Sequence, residues 1–496
     1  MYDSRTNNAY RKSLIPCPVC LEVSETGEDE LNVIGIMLDS FRKDHLGCYG
    51  NKWIKTPNLD RFAADATVFN HAYAEGLPTL PVRTALFTGR YTLPFRFWQP
   101  LELNDVLLAE ILWSKGVTTA FISDTYHAHK PHMGYERGFD YVKWIRGQEN
   151  DQAVVVPNVK VDLSKWNEKN WYPTLGTEEW HKQTFTQYLR NRAHWKTEED
   201  HHVAQVMKAG MRWVEDTVSE GKDDSFFLWL DSFDPHEPWD PPAQYTDMYP
   251  VPEYDGLPII ASGGFVEDWT LPEIRHVRSQ YAGTITLVDK WTGIFLEKIE
   301  ELGLLDNTMI IIISDHGEPL GEHGIVAKHQ PWSYEELSRV PLFIRLPDGM
   351  KAKKKVDAFV NMPDIAPTIL SFFGVETPPV MHGKNLLPIM RGEEEGMKFA
   401  ISGFHVGKWS IRNYKWSCHT VSDIEWPGMP KRSMPKIKPE LYMYDPNFVP
   451  PEPKKYELER DQAETKNVID EQEEIGESME KQLREFLGSL KPSPGD

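Results

Sequence analysis

Cysteine is scarce in this chain of 496 residues, which has four, at positions 17, 20, 48 and 418. So few cysteines in a chain of this length exclude a disulfide framework, and a cytoplasmic location is expected. Cys17 and Cys20 have the spacing of half a zinc knuckle. No second Cys or His pair follows at a matching spacing, which favours a flexible N-terminal extension over a zinc site.

Long apolar runs and an excess of positive charge are also lacking. Residues 1–30 are polar and rich in Ser and Glu, and the first apolar run has only the length of a strand. We therefore expect neither a signal peptide nor a membrane span. The formal net charge of −21 argues against nucleic acid as a partner, because binding to phosphate backbones needs clustered Lys and Arg. An anionic ligand would need a local positive pocket.

Short apolar strands alternate with helical segments along the chain, a pattern that predicts an α/β fold. We expect a large, mostly parallel central sheet with helices on both faces. The predicted strands are 33–38, 119–123, 226–230, 309–314 and 342–345, and the predicted helices are 59–66, 106–115, 201–219, 275–302 and 365–373. Asp39 and Asp315 close two of these strands. They should therefore lie at the carboxyl edge of the sheet, where ligands bind in such folds.

Thr79-Leu80-Pro81-Val82-Arg83 begins a helical run that continues to Gly89-Arg90. The order suits a nucleophile at the start of a helix. Unpaired N–H groups and the helix dipole favour negative charge at that point. Arg83, one turn later, could hold an anionic substrate. The segment therefore predicts a hydroxyl nucleophile in an anion-binding site.

The spacing resembles the sulfatase signature of the alkaline phosphatase superfamily, C/S-x-P-x-R with a following T-G. Further landmarks lie in the order typical of that family: 31–39, 47–50, 56–61, 233–238, 312–318, 328–329, 339–345, 364–368, 383–388 and 456–467. The resemblance implies an alkaline-phosphatase-like sandwich over residues 31–392. A smaller C-terminal α+β subdomain with a closing helix would follow at 393–496, and residues 1–30 would form an N-terminal extension.

The resemblance also implies roles for individual residues, and it implies one divalent metal ion. The metal ligands would be Asp39, Asp315, His316 and the nucleophile Thr79; the catalytic residues would be Thr79, Arg83, His236 and Lys328; the substrate-binding residues would be His127 and His329. Many sulfatases have a second Asp where this chain has Ser40. Fewer carboxylates and one imidazole favour Mn²⁺ or Zn²⁺, with Mg²⁺ or Ca²⁺ as alternatives.

Two departures from the sulfatase pattern concern the nucleophile. Thr79 stands where sulfatases have the Cys or Ser that is oxidised to formylglycine, and a threonine cannot give that aldehyde. Sulfatases also carry a G-K-x-H segment, whereas residues 122–127 contain no lysine. Aligning His127 with the family histidine places Thr125 at the lysine position. The two losses together indicate that the formylglycine mechanism has been dropped.

A threonine ester cannot collapse to an aldehyde, so water must attack the transferred group itself. This favours hydrolysis of a phosphodiester or phosphonate monoester in two in-line displacements. Three alternatives stay open. The protein could hydrolyse a sulfate ester without formylglycine, bind a sulfated ligand without catalysis, or transfer a phosphoryl group. The known threonine transferases of this type are membrane-anchored.

Residues 143–197 form the least family-like stretch, rich in Trp and with little periodicity. We favour a surface excursion packed on the main domain over a lid that shapes the substrate pocket. The stretch would permit a homo-oligomer. The expected partner is a small anionic ester, with neither nucleic acid nor a membrane.

Overall fold

The computed structural model describes residues 31–155, 160–169, 178–219, 225–261, 263–328, 332–348, 350–404, 407–422, 437–445, 447–458, 460 and 463–492. Three residues discussed above, Cys17, Cys20 and His329, lie outside this part of the chain.

The strands are β1 (Asn32–Leu38), β2 (Thr67–Tyr73), β3 (Gly76–Leu77), β4 (Thr118–Ser123), β5 (Tyr141–Trp144), β6 (Asn167–Lys169), β7 (Phe226–Ser232), β8 (Ile259–Ala261), β9 (Gly264–Phe265), β10 (Thr308–Ile313), β11 (Ile325–Val326), β12 (Arg339–Val340), β13 (Leu342–Arg345), β14 (Lys355–Asn361), β15 (Phe399–Phe404), β16 (Lys408–Asn413), β17 (Trp416–Val421) and β18 (Glu440–Met443). The α-helices are α1 (Pro57–Asp65), α2 (Thr79–Thr88), α3 (Leu108–Ser114), α4 (Glu178–Asn191), α5 (His202–Ser219), α6 (Ala243–Thr246), α7 (Leu271–Glu301), α8 (Glu335–Ser338), α9 (Ile365–Phe372), α10 (Leu387–Arg391) and α11 (Glu473–Ser489).

The large sheet has the strand order β12-β2-β13-β10-β1-β7-β4-β5, with β14 beside β2. From β10 to β5 neighbouring strands run parallel, and β13 joins antiparallel to β10. The prediction of a large, mostly parallel sheet is confirmed. The five strands predicted from the sequence all belong to it.

Both faces of this sheet are covered, as the apolar strands require. Every residue of β1 is buried. Ile34 and Ile36 belong to a core that includes side chains of α5 and α7, whereas Val33 and Met37 belong to a second core with side chains of α2 and α9. Successive side chains of a strand point to opposite faces, so one apolar run supplies both cores.

The central strands β1 and β7 approach each other at a glycine. Gly35 pairs with Trp229, whose side chain is fully buried. A Cβ at Gly35 would lie 2.1 Å from Cε3 of Trp229. The indole of Trp229 therefore occupies the space that a side chain at position 35 would need.

A second, smaller sheet forms the C-terminal subdomain, with the strand order β18-β17-β16-β15-β3. Met479, Leu483 and Leu487 of α11 join its core with Ile401 and Ile411. Strand β3 lies directly before the nucleophile helix α2 and pairs parallel with β15. The smaller sheet thus holds the segment that leads into α2.

The stretch 143–197 is more regular than its sequence pattern indicated, because it contains β6 and the helix α4. Phe185 and Tyr188 of α4 are buried together with Ile260 of β8. Their spacing of three places both side chains on one helix face. Polar residues around them weaken this signal in the sequence. Among the described residues, no helix combines the length and apolarity needed to cross a membrane.

Candidate active site

Three buried carboxylates meet at the carboxyl edge of the large sheet. Asp39 directly follows β1, Asp231 lies near the end of β7, and Asp315 follows β10. All three side chains are fully buried. Because β1 runs parallel to both β7 and β10, the ends of these strands lie side by side. Asp39 and Asp315 were expected here, and Asp231 was not.

Thr79 is the first residue of α2 and is 2% exposed. Its φ is +28°, a backbone angle that is rare for a β-branched residue. Such strain persists only where the surrounding structure holds it, and it is typical of functional positions. The hydroxyl predicted as the nucleophile is thus borne by a residue held in an unusual conformation.

Arg83 joins the three carboxylates. Its Nε and Nη2 donate to the two carboxylate oxygens of Asp231 at 2.8 and 2.6 Å. Its Nη1 donates to Asp315 at 2.8 Å and its Nη2 to Asp39 at 3.0 Å. Nη1 also reaches the backbone oxygen of Thr79 at 3.1 Å. The guanidinium therefore binds the nucleophile residue to the carboxylates.

Asp39, Asp315 and His316 have ligand atoms that all lie within 4.8 Å of one another. His316 Nδ1 donates to the backbone oxygen of Gly317 at 2.8 Å, while its buried Nε2 has no hydrogen-bond partner among the described residues. Metal-binding histidines commonly donate their second ring N–H in this way. Burial lowers the pKa of His316 to about 4, so the ring is neutral and Nε2 offers a lone pair. The donor set fits a divalent ion.

The pKa of Asp39 also favours a cation at this position. Burial, together with the neighbouring Asp315 carboxylate, raises the pKa of Asp39 well above its ordinary value. Two close carboxylates out of water need nearby positive charge to remain ionised together, and Arg83 offsets the upward shift of the Asp39 pKa only in part. Ser40, which replaces the second Asp of many sulfatases, donates from Oγ to Asp39 at 2.8 Å and from its backbone N–H to Asp315 at 2.9 Å. It orients the carboxylates instead of adding a third.

His236 and Lys328 form a second group. Nδ1 of His236 lies 2.7 Å from the backbone oxygen of Glu237, which can only accept, so Nδ1 carries the hydrogen. Nε2 of His236 accepts from Nζ of Lys328 at 2.8 Å. Lys328 also donates to the Glu237 carboxylate at 2.8 Å and lies 3.5 Å from that of Glu318. Burial lowers the pKa of His236, in accord with a neutral ring.

The Glu149 carboxylate connects His127 to this group, and no sequence motif indicated Glu149. Nε2 of His127 is 3.0 Å from one oxygen of Glu149, and the other oxygen of Glu149 is 4.0 Å from Nε2 of His236. Thr125, at the lysine position of the family motif, donates to Asp231 at 3.0 Å. The structure thus brings His127, His236 and Lys328 to one wall of the site.

Asp231, Glu149, Glu237 and Glu318 are the site residues that sequence reasoning missed. An acid near the end of a buried strand beside β1 is a usable signal, and it could have revealed Asp231. Glu237 and Glu318 lie inside quoted motifs but had no role assigned. Glu149 lies in the irregular stretch and gives no signal of its own.

Comparisons with known proteins agree with this geometry. A family model described as Sulfatase matches residues 31–375. An arylsulfatase of Clostridium perfringens (strain 13 / Type A) is 26% identical over 426 residues, which cover 75% of this chain and 81% of that protein. The multifunctional alkaline phosphatase superfamily protein PehA of Trinickia caryophylli is 27% identical over 413 residues, which cover 72% of this chain and 77% of that protein.

Among solved structures, the phosphonate monoester hydrolase of Agrobacterium radiobacter matches with a TM-score of 0.68 and 21% identity. The match covers 93% of this chain and 96% of that one, and it shows a shared fold. The family model spans well over half of the chain and includes the strand-end carboxylates, Thr79 and Arg83. The protein therefore belongs to the sulfatase family and is an ester-hydrolysing enzyme of the alkaline phosphatase superfamily.

Proposed function

We propose that this protein is a metal-dependent hydrolase with Thr79 as its nucleophile, acting on a phosphodiester or a phosphonate monoester. The observation that carries the proposal is the position of Thr79. This residue starts α2 with a strained backbone, and Arg83 connects it to Asp39 and Asp315. A threonine there can form an ester but not an aldehyde, which separates the chemistry from that of formylglycine enzymes.

Asp39, Asp315 and His316 would hold the divalent ion, with Mn²⁺ or Zn²⁺ favoured by two carboxylates and one imidazole. When bound, such an ion stabilises an alkoxide and polarises a substrate oxygen. Ser40 keeps the two carboxylates oriented toward each other. These residues fit the ion without rearrangement of the histidine, because Nε2 of His316 makes no hydrogen bond to any residue that the structure describes.

In the first displacement, the alkoxide of Thr79, whose proton has already been lost to solvent, forms a bond to the transferred phosphorus while the bond to the leaving oxygen breaks. Arg83 and the N–H groups at the start of α2 favour the negative charge that develops. The family resemblance implies that His236 is catalytic, and a histidine beside the leaving group could protonate it. We propose instead that Lys328 supplies this proton, since the hydrogen between the two residues belongs to its ammonium group. His236 then keeps Lys328 in place.

In the second displacement, water attacks the phosphorus of the Thr79 ester and Thr79 Oγ recovers the electron pair of the broken bond. The attack comes from the side that the leaving group vacated, and the proposal assigns His236 and Lys328 to that side. The hydroxyl of Thr125 donates to Asp231 and carries no positive charge of its own. This contact supports the inference that the lysine of the formylglycine mechanism has no counterpart here.

Sulfate-ester hydrolysis is the second candidate. It is supported by relatives such as the arylsulfatase of Clostridium perfringens and an N-acetylglucosamine-6-O-sulfatase of Bacteroides thetaiotaomicron, each 26% identical to this chain. Sulfate esters and phosphodiesters are both monoanions. The same site could therefore admit either group, and the preference for phosphorus rests on the need for direct attack by water.

The test is a set of initial rates with the metal-loaded protein on an aryl phosphodiester, phosphonate monoester, phosphate monoester and sulfate ester. The proposal expects diester or phosphonate turnover that Thr79→Ala abolishes. Thr88→Ala is the matched control, since Thr88 lies on the same helix and its hydroxyl donates to the backbone oxygen of Thr84. Sulfate turnover as the best activity would favour the second candidate. Absence of all turnover would favour a non-catalytic binder, and dependence on an acceptor alcohol would favour a transferase.

A further inference from the structure

The loop around Glu149 is held rigidly against the active site. Asp151 accepts from Arg146 at 2.7 and 2.6 Å and from the backbone of Gly147 at 2.8 Å. Nδ2 of Asn191, at the end of α4, donates to the backbone oxygens of Gly147 and Asp151 at 2.9 and 2.8 Å. Gln148 donates to Asp124 at 2.7 Å. The helix α4 and Asp124, which follows β4, thereby hold this loop from two sides.

The backbone of the loop is unusual at the residue that faces the site. Glu149 has φ +45°, and Gly147 has φ +122°. A non-glycine residue with a positive φ costs free energy and persists only where other contacts impose it. In this conformation the Glu149 carboxylate lies between two histidines. Its oxygens are 3.0 Å from Nε2 of His127 and 4.0 Å from Nε2 of His236.

The charge of Glu149 is maintained by this environment. Burial acts to raise the pKa of Glu149, but His127, His236 and Lys328 outweigh it and lower the pKa below its ordinary value. The carboxylate has no lysine or arginine within ion-pair distance among the described residues. A positive charge on the ring of His236 would therefore lie beside this carboxylate, whose oxygen is 4.0 Å from Nε2.

We propose that Glu149 is a positioning residue for the hydrolytic step, stabilising the positive charge that His236 gains when it takes a proton from the attacking water. This inference rests on the proposed Thr79 mechanism. The water oxygen bonds to phosphorus, the bond from phosphorus to Thr79 Oγ breaks, and Thr79 Oγ keeps the electron pair. The proton goes to Nε2 of His236, which returns it to the amine of Lys328 when Lys328 has given its own proton to the leaving group. Lys328 can release that nitrogen because it already contacts Glu237 and Glu318.

Such a carboxylate is needed more in the second step than in the first. An aryl ester with a good leaving group departs without a proton, so formation of the Thr79 ester does not depend on the charge of His236. Hydrolysis of that ester does, because water must lose a proton. Removing the negative charge of Glu149 should therefore slow hydrolysis and spare ester formation.

The experiment is a rapid-mixing measurement of phenol release from a nitrophenyl phosphodiester by the full-length, metal-loaded protein, with Glu149→Gln beside the wild type. The variant should release about one phenol per site in a fast phase. Its steady-state rate should then be lower than that of the wild type, on the order of 10²-fold. Glu179→Gln, the same substitution on the exposed face of α4, should match the wild type.

Asn191→Ala provides a second variant that removes no charge. It frees the loop by deleting the hydrogen bonds from Nδ2 to the backbone oxygens of Gly147 and Asp151. It also deletes the two that Oδ1 accepts from Val154 and Gln187, and it should give the same kinetic pattern with a smaller effect. Equal loss of the fast phase and of the steady state in Glu149→Gln would overturn the inference, as would an unchanged steady state. Failure of the proposed function itself is distinguishable, because Thr79→Ala would then retain wild-type turnover.

Discussion

Nζ of Lys328 donates a hydrogen bond of 2.8 Å to Nε2 of His236. In the proposed mechanism this contact makes Lys328 the proton donor, because Nδ1 of His236 carries the ring hydrogen and Nε2 accepts the hydrogen bond. The Glu237 carboxylate lies 2.8 Å from the same Nζ. The two residues lie 92 positions apart in the chain.

Lys328→Met should impair turnover in a way that depends on the leaving group. Esters of poorly acidic alcohols need a proton from Lys328, and their turnover should fall by roughly 10²- to 10⁴-fold. The turnover of nitrophenyl esters should fall much less, because their leaving groups depart without a proton. The measurement is kcat for a series of esters with leaving groups of graded pKa. Lys351→Met, at an exposed position, is the control. An equal loss for all leaving groups would contradict the role.

The pH profile of kcat/KM at saturating metal should be flat through the neutral range. Burial lowers the pKa of His236, so the neutral ring is lost only when the pH falls below the ordinary histidine value of about 6.5. Burial also acts to lower the pKa of Lys328, but Glu237 and Glu318 outweigh it and raise that pKa, so the acid form persists into the alkaline range.

Lys328→Met provides the internal check on this assignment. The positive charge of Lys328 is one of the causes that lower the pKa of His236, so its removal should move the acid limb to higher pH. An acid limb that does not move in this variant would show that another group controls it.

Asp231→Asn should weaken metal binding although Asp231 is not one of the predicted ligands. Two N–H groups of Arg83 donate hydrogen bonds to Asp231. Without that carboxylate, Arg83 would bind Asp39 and Asp315 more strongly. Competition for these two ligands should lower metal affinity by about 10- to 100-fold. Titration calorimetry with Mn²⁺ or Zn²⁺ measures the change. An unchanged or tighter dissociation constant would contradict this account of Arg83.

Gly35→Ala should destabilise the central sheet. The new methyl group would meet the buried indole of Trp229 at 2.1 Å, and overpacking of a core costs about 1–3 kcal/mol or more. Chemical denaturation should show this loss of unfolding free energy. Gly488→Ala is the matched control, because no atom lies within 4 Å of its Cβ position in α11. Equal stability of the two variants would refute the contact.

Much of the fold, and the proximity of Asp39, Asp315 and His316, could be predicted because their signals are contiguous in the sequence. An apolar run such as that of β1 predicts a strand, and the acid that follows the run then lies at the end of that strand. The order of the motifs indicates which strand ends lie close together. Asp231 was missed because its importance arises from pairing between β1 and β7. Glu149 was missed because hydrogen bonds to Asn191 and Asp124, not periodicity, hold its loop. The structure does not test the cytoplasmic location or homo-oligomerisation, which stay predictions.

The central claim is that Thr79 becomes covalently esterified during turnover. The most direct measurement is acid quenching of the metal-loaded protein during turnover of its best ester, followed by mass spectrometry of the peptide that contains Thr79. The account predicts added mass of the transferred group on Thr79, and no such mass when the experiment is repeated with Thr79→Ala. Full turnover by Thr79→Ala, or modification of a different residue at stoichiometric levels, would contradict it.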